Sequence, residues 1–202
     1  MFSKQILLCS TLILQLLIIG CASYKAGRID VRPVEEYANY TEKEKILLAA
    51  DPYDTSEKAK ECFYEDVTAQ GFYPVNLIIK NDSNERILIL KETIELIDAS
   101  GNAYRPVPSN IMSDTCEHNK MSYALLGFGI FSYMSAEEAN RKMATDWREK
   151  ECPAQLIIDS DRKANGFVYF NLPEGKTTKG CKLIVEAEGL ETKKKIQLEV
   201  RL

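Results

Sequence analysis

The chain has 202 residues, 45% hydrophobic and 28% charged, with 26 Lys and Arg against 30 Asp and Glu and a formal net charge of −4. An acidic body with both signs interspersed excludes a broad electrostatic footprint for nucleic acid or for an anionic bilayer. The length suits one domain preceded by a leader and a tether. In chain order, Lys4 supplies a short positive segment, and residues 6–19 form an apolar run broken by Cys9, Ser10, Thr11 and Gln15. A spanning helix takes about 20 apolar residues. This run is shorter, so residues 1–20 read as a processed export signal.

The run ends in Ile18-Ile19-Gly20-Cys21, a pattern that resembles the lipobox of bacterial lipoproteins. The resemblance implies cleavage after Gly20 and acylation of Cys21, so that membrane lipid becomes the first partner. Two or more acyl chains hold a protein stably where one does not. Ala22, standing where an Asp retains lipoproteins in the inner membrane, implies the outer membrane and a periplasmic face. The competing reading is an ordinary signal cut after Ala22 or Ser23, with Cys21 incidental.

Once Cys9 leaves with the leader and Cys21 carries lipid, Cys62, Cys116, Cys152 and Cys181 remain, an even number in an oxidising compartment. Cys116 and Cys152 flank one candidate insertion and are expected to pair. Cys62 and Cys181 either pair or stand as buried thiols. No CxxC spacing supports zinc or redox chemistry.

Residues 21–45, with Gly27, Pro33 and many charges, read as a tether. A helix follows, with Asp54 as N-cap, Glu57 three residues on, and Ala59, Cys62, Phe63 and Val67 as its apolar stripe. Gly71 closes it. Beyond Gly71, FYPVNLIIK and RILILKETIELID are β-branched and joined by the turn chemistry of residues 81–84. AYRPV comes next and, after an interruption, AQLIID, GFVYFNL, CKLIVEAE and KKIQLEVRL. In the last, Ile196, Leu198, Val200 and Leu202 alternate with Lys195, Gln197, Glu199 and Arg201. One face is buried and one wet, which predicts an antiparallel sheet. Several such strands predict a β-sandwich, and the basic run at Lys193–Lys195 reads as a solvated turn.

The order VNLIIKNDSNERILIL, IELIDASGNAYRPV, NGFVYFNLPEG and a final strand pair resembles the immunoglobulin-like domains of small bacterial lipoproteins. The residues that carry it are Asp98, Gly101 and Tyr104 in one block, and Gly166, Phe167, Phe170, Leu172 and Pro173 in another. The match covers residues 71–108 and 155–202. It implies a mainly β fold, an Ig-like antiparallel β-sandwich over residues 46–202. An N-terminal helix and a helical insertion at 109–153 are the departures.

That insertion holds MSYALLGFGIFSYM, residues 121–134, read as a greasy hairpin. Ser135–Glu138 then forms a capping box opening a helix that Pro153 stops. Leu125, Leu126, Phe128, Ile130 and Phe131 either fold back as core or form an exposed patch for lipid or a partner. His118 is the chain's one histidine, which leaves little for a Ser-His-Asp arrangement. Asp114, Cys116, Glu117 and His118 cluster as a metal candidate or a polar loop. Residues 159–166 imitate a calcium loop, but the glycine falls too late and no ligand carboxylate follows, so they read as a turn. No cofactor is expected. The sequence thus points to a non-enzymatic lipoprotein that binds or scaffolds another envelope protein. The alternatives are a carrier of a small apolar ligand and a metal-dependent hydrolase using Asp114 and His118.

Overall fold

The computed structural model describes residues 24–117 and 129–202, with the backbone alone for residues 129–135. The chain divides into two units, residues 1–25 with 117–143 and residues 26–116 with 144–202. The second unit is mainly β. Its strands are β1 (Tyr40–Lys43), β2 (Ile46–Pro52), β3 (Phe72–Asn81), β4 (Ile87–Leu90), β5 (Glu95–Ile97), β6 (Ala103–Tyr104), β7 (Gln155–Ile158), β8 (Arg162–Asn171), β9 (Lys182–Gly189) and β10 (Lys195–Arg201). It also holds helices α1 (Ser56–Phe63) and α2 (Ser109–Cys116), and the last turns of α3 (Gly129–Lys150). No helix among the described residues is long and apolar enough to cross a membrane.

One sheet runs β1-β2-β3-β8, antiparallel throughout. In the other, β9 takes β10 along one edge and both β5 and β4 along the opposite edge. Residues 95–97 meet one end of β9 and residues 87–89 the other. β6 and β7 extend β5 and β4 outward. The expected alternation decides which side chains the two sheets share. Leu48 of β2, Leu77 of β3 and Phe170 of β8 join Leu183 and Val185 of β9 and Leu198 of β10 in a single apolar core. Burying each such side chain contributes about 1.5–3 kcal/mol.

The first sheet is covered on its outer face as well. Ile78 and Ala49 pack there against Val34 and Tyr37, and Phe167 and Tyr169 lie under Phe63 and Trp147 in edge-on aromatic contacts. A strand buried on both faces reads as a continuous apolar run. That is why ILLAADP, which lacks alternation, forms β2. The segment expected as a tether is correspondingly structured: Val34–Glu36 makes a helical turn and residues 40–43 make β1. Nearer its start, Gly27 is wedged against α1, where a Cβ would lie 2.2 Å from the Glu61 carbonyl oxygen and 2.5 Å from that of Cys62.

Two helix starts differ from the sequence reading. Thr55 caps α1, its hydroxyl accepting from Lys58 N at 3.3 Å, while Asp54 accepts from the Thr178 hydroxyl at 3.2 Å. α3 begins at Gly129, ahead of the Ser135 capping box, so Ile130 and Phe131 stand in a helix rather than a hairpin. A short apolar run carries no period that separates the two.

The open edge of β8 is closed by chain on either side of the insertion. Val107 N donates to Tyr169 O at 2.8 Å and Cys152 N to Phe167 O at 2.7 Å. Lys43 of edge strand β1 donates to Gln197 O of β10 at 3.3 Å. The β8 contacts pair strand groups that would otherwise template aggregation, while the Lys43 Nζ occupies one β10 carbonyl.

Candidate functional site

At one end of the second unit, where β2 and β8 finish and β3 and β9 begin, a polar group gathers around Asp98. Its Oδ1 accepts from Ser100 N at 2.8 Å and Asn102 N at 2.9 Å. Its Oδ2 accepts from the Asn102 amide at 3.0 Å, the Tyr104 hydroxyl at 3.3 Å and Lys176 Nζ at 3.1 Å. The Asn102 side chain and backbone, followed by Lys176, hold the Asp98 carboxyl well below the usual carboxylate range. Gly101, at φ +85°, returns its N–H to Asp98 O at 3.0 Å, which only an unhindered residue does easily. Asp98, Gly101 and Tyr104 thus form a turn, and Lys176 ties it to the loop of residues 173–180.

Beside that loop lies an open cleft of about 310 Å³, lined by residues 68–71, Tyr73 and residues 172–175. Gly71, at φ +80°, accepts from Leu172 N at 2.9 Å, so backbone turns make two of its walls. Burial, with Asp54 nearby, raises the Tyr73 hydroxyl pKa. At neutral pH it is a hydrogen-bonding group rather than a base. Asp66, just before the cleft wall, accepts from the Ser56 hydroxyl at 2.5 Å, Thr68 Oγ1 at 2.7 Å and Ala69 N at 3.1 Å. The Ser56 and Thr68 bonds bring its pKa down to about 2.

A second polar group lies on the outer face of the first sheet. Asn76 of β3, registered between Asp51 and Phe167, is fully buried, and neither its amide nitrogen nor its oxygen has a partner among the described residues. Lys58 donates to Asp51 at 2.5 Å and to Pro52 O at 2.8 Å, and its Nζ stands 4.4 Å from the centroid of the Tyr53 ring. Burial pushes the Tyr53 hydroxyl upward and the Cys62 thiol up to about 11. A thiol so placed is protonated and unreactive at neutral pH.

The candidate residues read from sequence fall in separate places. Gly20, Cys21, His118, Leu125, Leu126 and Phe128 lie outside the described residues, and nothing of the side chains of Ile130 and Phe131 is described. Asp114 is exposed on α2. Among the described residues no group of three or more His, Cys, Asp or Glu is placed to hold a metal ion. Of residues 159–166 only 159–161 make the expected turn, which Asn81 ties down, Asp161 N donating to Asn81 O at 2.7 Å, while residues 162–166 already belong to β8.

Cys116 and Cys152 are not joined: Cys62, Cys116, Cys152 and Cys181 are all free thiols. The insertion does leave and return beside the same strand, β8, since Val107 and Cys152 bond to Tyr169 and Phe167. But α2 intervenes, and an eight-residue helix carries Cys116 about 12 Å along its axis. Cys116 ends near Glu65 and Asp66, its thiol pushed up to about 12, chiefly by burial. Cys152 is buried against Gly166, where a Cβ would lie 2.9 Å from Cys152 Cα.

Sequence reasoning missed Asn76, which sits in a strand among apolar residues and gives no local signal. It also missed Lys176 and Glu151. Glu151 pairs with Lys91 and accepts from Ser109 N at 3.2 Å, fixing the start of α2.

No family model matches the chain, and no curated protein matches it in sequence. Among solved structures, the chain is similar to the yjhA protein from Bacillus subtilis, at 12% identity and a TM-score of 0.37, over 73% of this chain and 77% of that one.

Proposed function

We propose that the protein is a bacterial envelope lipoprotein, anchored through lipid on Cys21 to the periplasmic side of the outer membrane. Its β body, an Ig-like sandwich in this reading, binds or scaffolds another envelope protein and performs no catalysis. The lipobox, Ile18-Ile19-Gly20-Cys21, carries the proposal. Support comes from the β body itself, where the residues of the Ig-like resemblance serve as framework. Asp98, Gly101 and Tyr104 build a turn, and Phe170 and Leu172 enter the shared core. The carboxylates of Asp66, Asp98 and Glu151 are each occupied by structural hydrogen bonds.

The test is the N-terminus of the mature chain. Its mass is expected to show an acylated Cys21, and Cys21→Ser is expected to leave an unacylated form without that mass. A mature N-terminus at Ser23 or beyond, without lipid, overturns the anchor. The second reading, a carrier of a small apolar ligand, would need an enclosed apolar pocket, whereas the cleft beside Tyr73 is open and lined largely by polar groups. Native mass spectrometry of the purified protein tests that reading through a co-purifying small molecule.

A further inference from the structure

The lipid anchor sets how far the β body can stand from the bilayer, and Gly27 fixes where along the chain that distance ends. The backbone of Gly27 lies against the last turn of α1 so closely that any side chain there would meet the carbonyl oxygens of Glu61 and Cys62. After it, Val31, Val34 and Tyr37 join the cluster that covers the outer face of the first sheet. The chain from Gly27 onward is therefore part of the folded body. From Cys21 to Gly27 is six residues, and at most ~3.6 Å per residue this spans roughly 20 Å. A tether running to residue 45 would reach about four times as far.

We infer that the C-terminal end of α1, with Lys60 and Tyr64 at its surface, is the face of the protein that meets the lipid headgroups. The inference rests on the anchor at Cys21. Chain length brings this end to the bilayer, because it is the part of the body that Gly27 touches. Tyr64 suits the place. It is 43% exposed, it ends α1 in a left-handed conformation at φ 66°, and tyrosine is favoured at the membrane–water boundary. Net charge does not drive the contact, since Lys60 is accompanied by Glu61 and Glu65. Unlipidated protein should accordingly have no affinity of its own for anionic vesicles.

Lysine acylation read by mass spectrometry tests this on the full mature protein in vesicles of phosphatidylcholine and phosphatidylglycerol. Lys60 and Lys195 have side chains 55% and 62% exposed, so both label readily in leaderless protein beginning at Ala22, which carries no lipid. On vesicles, Lys60 is expected to label at least threefold more slowly, while Lys195, on β10, is unchanged. Thirty Gly and Ser residues inserted between Ser23 and Tyr24 are expected to restore Lys60 labelling while the protein still floats with the vesicles. Floating protein with unprotected Lys60, or protection that persists with the long tether, overturns the inference alone. Protein that fails to float and lacks acyl mass overturns the anchor and the inference together.

Discussion

The indole N–H of Trp147 donates to the main-chain oxygen of Phe63 at 3.3 Å, and the two rings meet edge-on with centroids 5.9 Å apart. This pair joins the end of α1 to the last turns of α3 above Phe167 and Tyr169. The Tyr169 hydroxyl, in turn, donates to Trp147 O at 2.7 Å. Both rings are fully buried, so Phe63→Ala leaves a cavity and is expected to cost about 3–5 kcal/mol. Urea unfolding followed by the fluorescence of Trp147, the chain's one tryptophan, measures it. A loss under 1 kcal/mol would show that the helices are held by other contacts.

Asn76 presents the opposite case, a buried amide without partners among the described residues. An apolar side chain of similar size removes the desolvation penalty, so Asn76→Leu is expected to be neutral or to stabilise by about 1 kcal/mol. Asn76→Asp would bury a charge and is expected to cost more than about 3 kcal/mol. Thermal melts of the three proteins decide it, and a strongly destabilised Asn76→Leu would refute this account of the site.

Asp66 predicts an acid dependence of stability. Its folded pKa of about 2 lies below the unfolded value of about 3.9. Its contribution is therefore complete above pH 4 and lost as pH falls through 2. The side chain is 26% exposed, so Asp66→Ala is expected to cost only ~1–2 kcal/mol at pH 7. The gap between variant and parent should close between pH 4 and pH 2. A constant gap across that window would place the cost elsewhere.

Burial raises the thiols of Cys62 and Cys152 to about 11 and that of Cys116 to about 12. At pH 8 the native protein beginning at Ala22, which holds Cys62, Cys116, Cys152 and Cys181, should react slowly with a thiol reagent, and fully in denaturant, with four equivalents. Two equivalents in denaturant would instead reveal a bridge, and a peptide map would say whether it is the Cys116–Cys152 bond.

How much of this was legible depends on how local each signal is. The alternation in KIQLEVR and KLIVEAEG survives intact as β10 paired with β9, because that hairpin has one wet face. ILLAADP gave no such signal, since the cover on its outer side comes from Val34 and Tyr37, which the sequence does not place there. The Asp98 turn was visible as a spacing, but Lys176 reaches it from a distant loop. Thr55 and Asp54 are adjacent capping residues, and the choice between them was made by Thr178, far along the chain.

Register in the first sheet has a cost in time. Phe72 pairs with Asn171 and Asn81 with Arg162, so the longest strand pair joins halves of the chain made far apart in synthesis. β2 meets β3 across the connection that carries α1, but β3 holds one edge open until β8 has been delivered. Non-local pairing of this kind slows folding, because loop closure must come before the contacts that reward it. Meanwhile the apolar run of β3 stands exposed to other chains. The length of chain between β3 and β8 sets how long that exposure lasts.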